Sequence, residues 1–296
     1  MPFTLAHLSD THTTDLSGVR PAQLLGKRLL GYLSWRRRRR HEHSMRMLQA
    51  SADAALAQAP DVMVISGDLL HIGLAEEMRQ IRGWLEALSS EVPVFLVPGN
   101  HDFYRADSIP AWQRELGDLN VFGTPVGDAP WPSVLELPGV RLIGLNSAYA
   151  APLTQADGCL GAAQLDALRA LLDAPCEAPT VLVVHHPADS SLCAARKALR
   201  DAPALAELLA EYSPTLLLHG HLHKPLAYRV GPVPCYCAPS ASSEHERHRA
   251  GFHVFRLMAD RTDAVDATLY LAEAAQAPCR FTAHARPIDT ATATPR

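Results

Sequence analysis

Short apolar runs alternate along this chain with stretches in which apolar residues recur every three or four positions. That alternation predicts strands separated by amphipathic helices. Residues 4–8 form the first run and end at Ser9-Asp10. Residues 20–57 read as largely helical, with Met45, Leu48, Ala52, Ala55 and Leu56 at helical spacing, until Pro60 and Asp61 break the pattern. The unbroken run 62–65 has strand length and stops at Ser66-Gly67-Asp68. A helix over 75–88 follows, carried by Met78, Ile81, Trp84, Leu85 and Leu88, and then a strand over 94–97.

The second half predicts strands at 140–145, 181–184, 215–218 and 234–237, and later, more antiparallel strands at 252–257 and 267–271. Helices fit 162–172 and 202–212. No internal repeat is visible. The order implies one α/β domain over residues 1–273, built on two packed sheets, with 20–57 as a helical insert. From Ala274 onward the chain is rich in Ala, Thr and Pro with little apolar periodicity, so 274–296 is expected to be a poorly ordered tail.

Composition narrows the classes. Of the 296 residues, 48% are hydrophobic and 20% charged, which suits a well-packed globule, and the formal net charge of −4 argues against a nucleic-acid-coating protein. Met1-Pro2-Phe3-Thr4-Leu5 does not begin a basic and then apolar leader, and no run approaches the ~20 apolar residues of a membrane span. A cytoplasmic location is therefore expected. The six cysteines are dispersed and read as reduced thiols. Cys235 and Cys237 share a strand face, which leaves a metal or redox role open, but nothing else in the sequence supports one.

Polar clusters sit directly after the apolar runs. They are Asp10-Thr11-His12, Gly67-Asp68, Gly99-Asn100-His101-Asp102, His185-His186-Pro187 and Gly220-His221-Leu222-His223. Each has an ordinary reading: a helix-capping Asp, a turn, a hydrogen-bonded core His. Two residues apart on extended backbone, Asp10 and His12 face one way, as do His221 and His223. An Asn oxygen is a hard neutral ligand, and a carboxylate leaving a tight Gly turn can bridge cations. Ligands gather at the carboxyl ends of parallel strands, where loops vary and strands do not, so the joint reading is a metal site.

In this order, the D-x-H, G-D, G-N-H-D, H-x-P and G-H-x-H motifs resemble those of the calcineurin-like metallophosphoesterases, over roughly residues 3–245. The stretches around Leu8–Ser9–Asp10, Gly67-Asp68-Leu69 with Glu76-Glu77, and Val97-Pro98-Gly99 look most like the bacterial class III cyclic nucleotide phosphodiesterases. The resemblance implies a four-layer sandwich of two mixed sheets flanked by helices. It implies one metal held by Asp10, His12, Asp68 and His223, and a second by Asp68, Asn100, His185 and His221. His101 is then the unbound catalytic residue, donating a proton to the leaving oxygen or stabilising the charged transition state. His186 becomes the variable neighbour of the ligand. Asp102 has two readings, an orienting partner for His101 or a ligand, and a plain surface carboxylate. Two cations ~3.5–4 Å apart would hold a bridging hydroxide for in-line attack on a phosphate ester. Without thiolate in the set, Mn, Fe or Zn fits, as a divalent or mixed-valence pair.

Trp35 precedes Arg36, Arg37, Arg38, Arg39 and Arg40, and Leu25, Leu29, Tyr32 and Leu33 lie just upstream. This segment can be a solvated helix face or subunit contact, an amphipathic element on an anionic membrane surface with Tyr32 and Trp35 at the interface, or a clamp for a polyanionic substrate. Nucleic acid is disfavoured because no basic stripe continues elsewhere. The expected activity is a phosphodiesterase. Alternatives are a phosphomonoesterase or pyrophosphatase on a lipid-linked or membrane-surface substrate, then a nuclease or a non-enzymatic scaffold. Selectivity is expected from loops 13–43, 103–133 and 147–160; the sequence fixes neither the substrate nor the oligomeric state.

Overall fold

The computed structural model of the chain describes residues 2–258 and 261–285. Its strands, in chain order, begin with β1 (Phe3–Leu8), β2 (Val62–Ile65), β3 (Val94–Leu96), β4 (Thr124–Pro125) and β5 (Ser133–Leu137). They continue with β6 (Val140–Gly144), β7 (Thr180–Val183), β8 (Leu216–His219), β9 (Leu226–Val230) and β10 (Val233–Cys237). A small hairpin, β11 (Glu244–His245) and β12 (His248–Arg249), precedes β13 (Gly251–Met258), β14 (Arg261–Ala272) and β15 (Phe281–Ala285).

Two mixed sheets result. One has the order β15-β14-β13-β1-β2-β3, with β1, β2 and β3 parallel and the rest antiparallel. The other has the order β4-β5-β6-β7-β8-β10-β9, with a parallel centre from β6 to β10. The apolar runs are continuous because both faces of these strands are covered. On β2, Val62 and Val64 point between the sheets, where they meet Val183 and Leu218. Met63 and Ile65 point the other way, against the helices Met45–Leu56 and Ala75–Glu91. The second sheet's outer face is covered by the helices Ala162–Asp173 and Ala202–Tyr212. Helices, sheet, sheet and helices form the four layers, and the parallel strands of both sheets bring their carboxyl ends to one edge. Each fully buried Leu, Ile or Val here stabilises the fold by about 1.5–3 kcal/mol.

Several elements differ from the sequence expectation. Ser108–Leu116 is a helix inside the stretch read as loop, packed through Ala111, Trp112 and Leu116. Its apolar stripe is short and interrupted by Pro110, which hides the period. The strands β5 and β9 were not anticipated, since neither carries a fully buried apolar run. Of the expected tail, residues 286–296 lie outside the described residues, while Phe281–Ala285 pairs with β14 as an antiparallel edge strand and Phe281 packs against Phe252. One aromatic anchor and an open sheet edge suffice where periodicity is absent.

The basic segment divides. Lys27–Ser34 is helical and a wider, π-type turn runs through Trp35–Arg39. Trp35 is buried with Leu16, Ile72, Leu74 and Tyr104, so it does not stand at an exposed interface, as the membrane-surface reading, one of the three for this segment, would have it. An indole this large gains more from a ready apolar pocket than from solvent. Arg36, Arg37, Arg38 and Arg40 are exposed, whereas Arg39 is half-buried and turns inward. Among the described residues no helix is long and apolar enough to cross a membrane.

Candidate metal centre

All seven residues expected as ligands meet at the shared strand edge. Asp10 and His12 follow β1, Asp68 follows β2, Asn100 follows β3, His185 follows β7, and His221 and His223 follow β8. Asp10, His12 and His223 form one group whose donor atoms lie within 4.8 Å of one another; Asp68, His185 and His221 form another. The Asn100 Oδ1 atom is 3.2 Å from His185 Nε2. Asp68 stands between the groups, with Oδ2 3.6 Å from His12 Nε2 and 3.3 Å from His185 Nε2.

The backbone bends sharply to achieve this. Asp10, His12, Asp68, His221 and His223 have φ of 51°, 40°, 58°, 70° and 54°, in the left-handed region. Gly67 has φ 93° and lies against Gly99, whose backbone nitrogen would sit 2.6 Å from an added Cβ. Only glycine permits that approach of the β2 and β3 loops. At Gly220 an added Cβ would strike Ser9 and Asp10, so the first and last clusters touch backbone to side chain.

Hydrogen bonds fix which imidazole nitrogen is bare. His12 Nδ1 lies 2.7 Å from the Leu70 carbonyl and His185 Nδ1 lies 2.7 Å from the Ser66 carbonyl. A carbonyl only accepts, so each Nδ1 carries hydrogen and each Nε2 turns a lone pair inward. His12 Nε2 is buried without a hydrogen-bond partner. His185 Nε2 faces the oxygens of Asp68 and Asn100, an arrangement of acceptors that a cation resolves. Burial opposes charge on His185, but with no cation between them the Asp68 carboxylate outweighs it and pushes the pKa up to about 9, and a bound cation would take the place of that Nε2 proton. Burial likewise opposes the Asp10 carboxylate, and His223, at 3.2 Å, overcomes it and holds the pKa well below the usual range. The set of carboxylate, amide oxygen and imidazole fits divalent transition metals.

His101 also falls within 4.8 Å of His12 and Asp68, so proximity alone does not separate it from the ligands. Its hydrogen bonds do. Nδ1 donates to the His71 carbonyl at 2.6 Å, and Arg39 Nη1 lies 3.0 Å from Nε2. His101 Nε2 thus meets a donor, whereas Nε2 of His12 has no hydrogen-bond partner and Nε2 of His185 faces acceptors. Burial, then the Arg39 charge, holds the His101 pKa well below 6.5. His186 is engaged too: Nδ1 meets Ser147 Oγ at 2.7 Å and Nε2 meets the Ala156 carbonyl at 3.2 Å.

Asp102 is buried, not a surface carboxylate. It accepts backbone N–H groups from Asp68, Leu69, Leu70 and Gly99, which ties the β2 loop to the β3 loop. Burial and the adjacent Asp68 push its pKa up to about 8, against the pull of those donors. Glu77 does similar work for the next loop, accepting from Thr14 and from the backbone of His71, Ile72 and Leu74.

Residues not singled out by the sequence reading complete the surroundings. The rings of His43 and His71 lie 5.2 Å and 5.6 Å from that of His12. His43 Nδ1 meets Ser242 Oγ, and burial holds the His71 pKa down to about 3. Neither follows a strand, so no apolar run announced them. The cleft over the centre has a volume of about 530 Å³, with His101, Tyr104 and Arg39 on one side and Arg196 and Lys197 on another. A larger cavity of about 770 Å³, lined by Phe103, Trp112, Phe122 and Trp131, holds none of the clustered ligands and is not the chemical site.

Comparison with known proteins agrees with this geometry. The family profile described as calcineurin-like phosphoesterase matches residues 3–225. A probable cyclic nucleotide phosphodiesterase of Rhodococcus erythropolis is 27% identical over 240 residues, covering 80% of this chain and 70% of that protein. A cAMP/cGMP dual specificity phosphodiesterase of Mycobacterium tuberculosis is 29% identical over 227 residues, 75% of this chain but 62% of that protein. Among solved structures, a dimetal phosphatase from Danio rerio superposes with a TM-score of 0.55 at 15% identity, over 98% of this chain and 100% of that one. That likeness speaks to the fold alone.

Proposed function

Because the chain belongs to the calcineurin-like phosphoesterase family and is a metal-dependent phosphoester hydrolase, we propose that it cleaves phosphodiesters at a centre of two cations. The carrying observation is the pair of carbonyl-fixed imidazoles, His12 and His185, that turn bare Nε2 lone pairs toward the same Asp68 carboxylate. Asp10, His12, Asp68 and His223 would hold one cation and Asp68, Asn100, His185 and His221 the other, with Asp68 serving both. When bound, such cations neutralise phosphate charge and make water a nucleophile near neutral pH.

The chain's own groups orient the ester. Asp102 and Glu77 fix the loops that carry Asp68 and His71, so the ligands do not reorganise during reaction. His101 keeps its hydrogen on Nδ1 against the His71 carbonyl and presents Nε2 beside the Arg39 guanidinium. Burial and Arg39 disfavour a stored proton on Nε2. The pair therefore acts as a positive, rigid wall that stabilises the charged transition state and the leaving oxygen. Mn or an Fe-containing pair suits the donor set; the free thiols of Cys235 and Cys237 are buried on β10 and play no part in it.

The test is a panel of mono-, di- and pyrophosphate esters with Mn-reconstituted protein. The expected result is the highest kcat/KM for a diester. A monoester or pyrophosphate preferred by tenfold or more overturns the assignment.

One feature favours work at a membrane surface. Leu25, Leu29 and Leu30 are exposed in and next to the helix Lys27–Ser34, near the exposed arginines, and Leu30 and Leu153 reach the cleft. The protein is expected to co-sediment with phosphatidylglycerol-containing vesicles and not with pure phosphatidylcholine, and to lose this when 36–38 and 40 become Gln. Equal sedimentation with both vesicle types excludes that reading.

A further inference from the structure

The cleft carries more positive charge than one diester uses. Lys27, Arg39, Arg196 and Lys197 line it, and the one carboxylate in its lining is Asp68, already committed to the metal centre. Two neighbouring cations outside the cleft are paired, Arg38 with Glu42 at 3.2 Å and Arg200 with Asp157 at 2.5 Å. Among the described residues none of the four cleft cations has such an ion pair.

Their contacts are of another kind. The Lys27 ammonium donates to the carbonyls of Gln155 and Ala151 and lies 4.6 Å from the centre of the Tyr104 ring, which fixes its direction without cancelling its charge. Arg39 rests against His101. Arg196 and Lys197 occupy one short turn, Ala195–Lys197, and Arg196 is tied in by its carbonyl, which accepts from the Ala156 amide. Burial pulls the Lys27 and Lys197 pKa values down, by more than the carboxylates of Asp157 and Asp68 near Lys27, and of Asp68 near Lys197, restore.

A cyclic or simple diester has a single negative charge, placed at the metals. Cations without an ion pair beside it, Lys27 and Lys197 half-buried and Arg196 exposed, match a second anion held further along the cleft. We propose that Lys27, Arg196 and Lys197 form a subsite for a second phosphate-like group on the substrate, so that the preferred diester bears a further dianion on its non-leaving arm. This rests on the diesterase reading above and deepens it.

Two p-nitrophenyl diesters separate the ideas: ethyl p-nitrophenyl phosphate and its 2-phosphonoethyl counterpart, whose phosphonate cannot be hydrolysed. With Mn-loaded protein, kcat/KM is expected to be at least about tenfold higher for the phosphonoethyl ester, through KM. In Arg196→Gln/Lys197→Gln the ratio falls to within about threefold of unity, and Lys27→Gln reduces it in the same direction. Metal content measured on each variant shows that the centre is intact. A wild-type ratio at or below unity, or a ratio that survives the double substitution, overturns the subsite. If neither diester turns over, the diesterase reading fails by itself. Calorimetric titration with the same two compounds then decides the subsite: tighter binding of the phosphonate, lost in the double variant, supports it, and equal binding overturns it.

Discussion

Asp68→Ala is expected to empty both metal positions together and to lower kcat by at least about 10³-fold, some 4 kcal/mol of transition-state stabilisation. Its carboxylate faces His12 and His185 from the two ligand groups and also accepts the His101 backbone N–H at 2.7 Å. Removing it leaves two inward lone pairs with no shared anion. Because Asp68 has φ 58°, alanine also sits in a left-handed backbone that Asp and Asn tolerate better. Asp68→Asn separates the effects: it tolerates the left-handed backbone, keeps the shape and loses the charge. Both variants should bind less than one metal equivalent by elemental analysis. A variant that holds one full equivalent while losing the other refutes the shared role.

His101→Ala is expected to keep metal content near normal while kcat falls by about 10²–10³-fold, the range found when one transition-state donor is removed. The distinction rests on the ring's hydrogen bonds: both nitrogens are engaged by the His71 carbonyl and Arg39. The pH dependence carries its own sign. Burial, followed by Arg39, holds the His101 pKa well below 6.5, so the ring stays neutral as pH falls from 8 toward 6.5. Activity should therefore show no acid limb near 6.5 that disappears in His101→Ala. Loss of metal in this variant would make His101 a ligand, and such a limb would make it a proton donor.

The legible parts of this protein are those where a short sequence window holds the cause. Val62-Met63-Val64-Ile65 reads as a strand because both of its faces are covered, and Asp68 reads as functional because it leaves that strand through Gly67. The helix Ala75–Glu91 declares itself through its apolar stripe. What escaped depends on contacts distant in sequence. Arg39 looked like one of five equivalent arginines; the burial of Trp35 under Ile72 and Leu74 sets the phase of the turn that sends it inward. Lys197 lies on a short turn with no pattern, and the connection after β7 brings it to the cleft lining. Phe281–Ala285 is a strand because β14 presents an edge.

The left-handed backbone at Asp10, His12, Asp68, His221 and His223 sets a limit on how this protein can be improved. At about 1–2 kcal/mol each, those five residues forgo stability comparable to the whole margin of a typical domain, about 5–15 kcal/mol. Glycine at any of them would relax the chain and delete a proposed ligand in the same stroke. Thermostabilising this protein by consensus or glycine substitution at its most uncomfortable residues would thus select for a sturdier, metal-poor protein. Robustness has to be sought in the outer helices, away from the strand edge that does the chemistry.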